Sequence, residues 1–153
     1  GYDSIAMLKL LDGIVDIYMP DMKYADPDTA RQYSKIRNYP QVNQAAVLEM
    51  FRQVGDLQMD KNGVATQGLL VRHLVLPNNL AGTDQIVQFL ANGISTNTYL
   101  NLMDQYRPAY KAHQYPRLNR PITHDEYQAA VQMAQDAGIN RLDHRKALVW
   151  RLF

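Results

Sequence analysis

The run Gly13 to Asp26, GIVDIYMPDMKYAD, decides the fold. Its β-branched, apolar segment Ile14 to Met19 has the composition and length of a buried strand, and Pro20 closes it because proline has no N–H to give a ladder. Just beyond stand Asp21 and Lys23, two positions apart and so on one face. In a parallel α/β domain, the loops leaving the carboxyl ends of strands border the one crevice that helices do not cover. Asp21 and Lys23 are therefore the first candidates for ligand contact, a carboxylate and an ammonium able to hold a zwitterion or a cation between them. The alternative is a partly exposed ion pair at a loop, worth about 0 to 1 kcal/mol.

Working outward, the 153 residues fit one domain with room for a sizeable core, and 46% apolar with 20% charged residues is ordinary for a globular chain. A net charge of +1 leaves no footprint for nucleic acid or an anionic membrane surface. No apolar run is long enough to cross a bilayer and no signal-peptide pattern is present, so the expected compartment is the cytoplasm. There is no cysteine, which removes disulfides, thiolate nucleophiles and cysteine-held zinc or iron–sulfur sites from this chain alone. The opening GYDS, without an initiator Met, reads as part of something longer.

Along the chain, Ser4 caps a short helix with Ile5, Leu8 and Leu11 on one face, ending at Gly13. After the first strand, Asp26-Pro27 starts a helix to about Ile36. Tyr39-Pro40 starts a longer one whose apolar stripe is Val42, Ala45, Ala46, Met50 and Val54, stopped by Gly55. Leu57 to Val64 reads as a hairpin around Asn62-Gly63. The strongest strand signal is Leu69 to Leu76, ended by Pro77. A helix from Thr83, buried through Ile86, Val87, Phe89 and Leu90, runs to Asn92-Gly93. A third strand, Thr98 to Met103, follows. Residues 108–121, rich in Tyr, Pro and Arg, read as an ordered covering loop. Thr123 and Glu126 have capping-box spacing for a helix to about Ala137. The basic tail, 142–153, with the lone tryptophan, is compatible with either a strand or a short helix.

Strands separated by helices require parallel crossovers, so the expected fold is α/β, a parallel sheet with outer helices. Three main strands are too few for a closed barrel or a doubly wound sheet, and a single-domain barrel fragment fits better.

The runs GYDS, LLDGIVDIYMPDMKYAD, GLLVRHLVLPNNLAGT and TYLNLMDQYRPAY, in that order, resemble the C-terminal part of radical S-adenosylmethionine (SAM) proteins of the pyruvate formate-lyase activating enzyme-like branch. The likeness extends from Gly1 to about Asp143. It implies the C-terminal half of a partial, TIM-like (β/α)6 barrel. In that family a CxxxCxxC motif holds a 4Fe–4S cluster whose open iron chelates SAM. Reductive cleavage of the cofactor yields a 5′-deoxyadenosyl radical that activates a substrate, in some members a glycyl radical enzyme. This chain has no such motif, so the resemblance implies SAM as cofactor, with the cluster bound only by the parent protein and no activity for the chain alone. Carried over residue by residue, Asp21, with the Met19 carbonyl, would hold a monovalent cation near the cofactor carboxylate. Lys23 would contact that carboxylate, and Arg72 would enter the barrel beside cofactor or substrate. Gln105 or Tyr106 stands where the family places its adenine contact, although the family histidine is absent from Met103-Asp104-Gln105-Tyr106.

Each assignment has a plainer counterpart. Arg72 could be an edge residue of a half-buried strand, and His73, facing the other way, reads as a satisfied core histidine. His113, His124 and His144 lack metal-ligand spacing and no metal ligands are assigned. Tyr106, Tyr110 and Tyr115 either line a substrate channel or pack on the domain edge. Expected partners are a cluster-bearing N-terminal half, a substrate protein, or a second copy docking through exposed sheet edges. The competing function is a noncatalytic α/β binding or assembly module.

Overall fold

A computed structural model describes residues 1–143. Its first helix, α1 (Ile5–Leu10), leads to two short strands, β1 (Ile17–Tyr18) and β2 (Asp21–Met22), then α2 (Pro27–Ser34) and α3 (Tyr39–Val54). There follow β3 (Gln58–Met59), β4 (Ala65–Leu74), α4 (Thr83–Phe89), β5 (Tyr99–Met103), α5 (His124–Asp136) and β6 (Arg141–Leu142). The sheet runs β1, β4, β5, β6 in chain order, with every one of these neighbours parallel. β3 adds an antiparallel hairpin arm to the start of β4. The expected α/β class with a parallel sheet and helices is therefore observed.

The first strand differs from its expected span. Ile14 lies outside the sheet and is 70% exposed, and pairing begins only at Ile17. It then continues past Pro20: Ile17 opposes Gly68, Tyr18 opposes Leu69 and Asp21 opposes Arg72, one unbroken register. Proline forfeits only its own N–H, and its carbonyl still accepts from Arg72 N at 3.0 Å. Asp21 consequently sits within the strand rather than in the loop after it. That strand is also an edge of the sheet among the described residues, not its centre.

Alternation along β4 and β5 sorts the two faces. Leu69, Val71, His73 and Val75, with Leu100 and Leu102, are buried against Val47 and Met50 of α3, Ile86 and Val87 of α4, and Ala130 and Ala134 of α5. Leu70, Arg72 and Leu74, with Tyr99, Asn101 and Met103, face the other way and are half-buried. The three crossover helices thus pack into one core on one side of the sheet, leaving the opposite side open. The α3 stripe is rotated from the expected one: Asn43 and Val47 are buried while Ala45 is exposed.

Residues 108–121 carry one short turn of 3-10 helix, Ala112–Gln114. Leu118 joins Leu76, Leu80 and Ala81 in a second apolar cluster beyond the carboxyl end of β4. Arg120 donates two 2.7 Å bonds to Glu126, which also accepts from Asn78 N at 2.7 Å and Thr123 N at 2.9 Å. The capping-box carboxylate of α5 therefore also fastens the loop to the turn that follows β4. Of the tail, only its start is described, where Arg141–Leu142 pairs with β5; residues 144–153 lie outside the described residues.

Candidate functional site

Parallel register places Asp21, Arg72 and Asn101 in one row across the open face. Arg72 Nε donates to Asp21 Oδ1 at 2.7 Å, and Lys23 Nζ lies 3.6 Å from Asp21 Oδ2. The Asp21 side chain is 23% exposed, that of Arg72 36% and that of Lys23 51%. The three groups expected to converge do so, from two adjacent strands, where the first strand surfaces. Two cations against one carboxylate leave the trio with a net charge of +1. It is therefore suited to a ligand carboxylate, with Asp21 able to take an ammonium as well, and is less suited to a free cation.

Met19 lies on the same face two residues earlier and is 54% exposed. Asp16 and Pro20 turn their carbonyls toward β4, so by alternation the Met19 carbonyl faces the outer edge. Gln105 lies on exposed chain two residues beyond β5, at the same carboxyl-terminal end of the sheet.

The backbone under the trio is held from α3. The Asp21 carbonyl accepts from Asn43 Nδ2 at 3.0 Å and from the Tyr39 hydroxyl at 3.3 Å, while Lys23 N donates to that hydroxyl at 3.0 Å. Tyr39 is buried, and burial is the main cause that pushes its phenol up to about 12, partly offset by the Lys23 N–H bond. It stays a neutral hydrogen-bonding group at any physiological pH. Tyr2 stacks on its ring at 6.1 Å and Tyr24 meets it edge-on at 5.7 Å. Sequence reasoning missed Tyr39 and Asn43. The available signal was their i, i+4 spacing, which puts two polar groups on the buried side of a helix and so requires partners for them.

His73 is completely buried, as read from the sequence. Its neutral ring donates from Nδ1 to the Met22 carbonyl at 2.7 Å and accepts at Nε2 from the Thr83 hydroxyl at 2.9 Å. It belongs to the packing between β2, β4 and α4 and faces away from the trio.

Partial exposure keeps the Asp21–Arg72 pair from being a structural necessity. A double-mutant cycle with Asp21→Asn and Arg72→Met, read by urea unfolding, is expected to give a coupling of about 1 kcal/mol. A coupling near 3 kcal/mol or more, of the size of a desolvated pair, would make it part of the fold's support instead.

No family model matches the chain. An uncharacterized protein of Methanocaldococcus jannaschii is 30% identical over 135 residues, which is 88% of this chain and 36% of the relative. The chain thus spans about a third of the length of the relative it matches. No solved structure matches. Among the described residues there is no group of three His, Cys, Asp or Glu placed to hold a metal ion, and no helix long and apolar enough to cross a membrane.

Proposed function

We propose that the chain is the C-terminal part of a radical SAM protein of the pyruvate formate-lyase activating enzyme-like branch, and that its open sheet face receives the methionyl end of SAM. The observation that carries this reading is the meeting of Asp21, Lys23 and Arg72 on that face. A methionyl group is a zwitterion, and the trio offers two cations for its carboxylate and one carboxylate for its ammonium, so the residues present fit that end of the cofactor. When bound beside a reduced cluster, SAM supplies a hydrogen-abstracting 5′-deoxyadenosyl radical. The cluster does not fit this chain, which has no cysteine to ligate iron, and would be held by another segment of the protein.

The residues of this chain have positioning work in that scheme. Lys23 and Arg72 orient the carboxylate, and Tyr39 and Asn43 fix the backbone from which Asp21 and Lys23 project. Strands that follow one another across the sheet in chain order, with their helices in one core, agree with a barrel segment better than with a doubly wound sheet, whose strand order reverses. Two tests apply. The isolated chain is expected to bind SAM weakly or not at all by calorimetry and to release no 5′-deoxyadenosine under anaerobic reduction; turnover without a cluster-bearing segment defeats the proposal. The reading frame preceding Gly1 is expected to encode CxxxCxxC, and a complete frame without it defeats the proposal as well.

A second reading, an assembly module, is favoured by the apolar edge. Leu10, Ile14, Ile17 and Met19 are 69%, 70%, 38% and 54% exposed along α1, the turn after it and the first strand, which is an edge of the sheet among the described residues. Light scattering decides it: a defined dimer supports assembly, and a clean monomer opposes it.

A further inference from the structure

Beyond the trio, the carboxyl-terminal end of the sheet holds a second cavity, of about 210 Å³, built from tyrosines. Tyr24 and Tyr106, on the chain just beyond β2 and β5, form its floor with Tyr33 of α2 and Tyr115 of the covering loop. Tyr33 and Tyr115 meet edge to face at 5.2 Å. Two of the hydroxyls are already used by the protein: Tyr106 donates to the Leu118 carbonyl at 2.9 Å, and Tyr24 accepts from Ser34 at 3.1 Å. What these two residues offer a ligand is therefore mainly ring surface. The charged residues of the lining are Arg107 and Lys111, both exposed, with no Asp or Glu among them.

We infer that this cavity binds a small carboxylate carrying a single planar ring, its ring among Tyr24, Tyr33, Tyr106 and Tyr115 and its acid group against Arg107 and Lys111. Aromatic walls alone would also suit a cation, through the negative faces of their rings. Here the lining carries two cations and no carboxylate, one of them, Lys111, with its Nζ 5.2 Å from the centre of the Tyr110 ring, so an incoming cation is repelled. Volume limits the ligand, because cavities for drug-sized molecules run from about 300 Å³ upward. One ring with a short acid arm fits that volume. The inference stands independently of SAM, since none of its residues belongs to the trio.

Titration of the chain with sodium phenylacetate, followed by backbone amide NMR, tests it. Saturable shifts are expected at Tyr106, Arg107 and Lys111, with a Kd of about 1 mM for so few contacts. Benzylamine, which keeps the ring and reverses the charge, and acetate, which keeps the charge without the ring, are each expected to bind at least about tenfold more weakly. Arg107→Gln and Lys111→Gln, both exposed and so benign for folding, should each weaken phenylacetate about fivefold, whereas Lys61→Gln, exposed in the turn between β3 and β4 and outside the cavity, should leave it unchanged. Equal binding of benzylamine or acetate, indifference to both cation replacements, shifts confined to another surface, or no saturable shift by about 20 mM would overturn the inference.

Discussion

Gly68→Ala is expected to destabilise the fold by about 3 to 5 kcal/mol, the sum of a backbone strain and a steric term. Gly68 adopts φ +115°, a region L side chains rarely enter. A Cβ there would lie 2.4 Å from the Asp56 carbonyl oxygen and 2.5 Å from Leu57 Cα, both main-chain atoms that no rotamer change can move aside. The chain leaving α3 crosses close over β4 at this point, where Leu69 N donates to the Gly55 carbonyl at 2.9 Å. β4 is also the strand with which β1, β2, β3 and β5 all pair, so displacing it disturbs every ladder around it. Gly13→Ala is the control: φ is +78° but nothing lies within 4 Å, so only the backbone cost of about 1 kcal/mol remains. Guanidinium unfolding compares the two through their midpoints at constant slope. A Gly68→Ala midpoint equal to that of the unsubstituted chain would show that the crossing is looser than described.

The second large effect is acid sensitivity at His73. Burial pushes its pKa from 6.5 down to about 4, against a smaller opposing effect of the Met22 hydrogen bond. Between these values the unfolded chain binds a proton that the folded chain refuses, so stability rises with pH through the window. The contribution is fully present above about pH 6.5 and is lost as pH falls toward about 4, some 2.5 pKa units or about 3 kcal/mol. Urea unfolding at pH 7.5 and at pH 4.5 is expected to show that loss in the natural chain and not in His73→Leu. The variant itself should be less stable at neutral pH by about 2 to 4 kcal/mol, because it removes two buried hydrogen bonds, one to the Met22 carbonyl and one from the Thr83 hydroxyl. An imidazole that titrates near 6.5 by NMR would contradict the account.

How much of this was legible in the sequence depends on the range of the interaction. The α5 capping box, α3 with its Tyr39-Pro40 start and Gly55 stop, and the β-branched β4 are short-range patterns, and each appears within a few residues of its expected position. So does the placement of Asp21, Lys23 and Arg72 on one face, because strand alternation fixes the face of a side chain. Contacts distant in sequence were not legible. Nothing local says that Pro20 interrupts an edge ladder without ending the strand, or that Asn43 is buried because Asp21, 22 positions away, needs its amide. Gly68 carried an unread signal, since a glycine inside a strand pattern marks a close backbone approach. Glu126 was recognised as a cap but not as the anchor of the covering loop, a role that exists only once Asn78 and Arg120 have come to it.

The most direct test of the central claim is the affinity for SAM of the proposed parent, this chain together with a cluster-bearing segment, measured anaerobically after loading with iron and sulfide. Lys23→Gln, which takes the trio from a net charge of +1 to neutral, is expected to weaken binding about tenfold with iron content unchanged, while Lys35→Gln on the outer surface leaves it as it was. Equal affinities for the Lys23→Gln and unsubstituted proteins would contradict the assignment of the open sheet face as the place where the ligand's carboxylate is held.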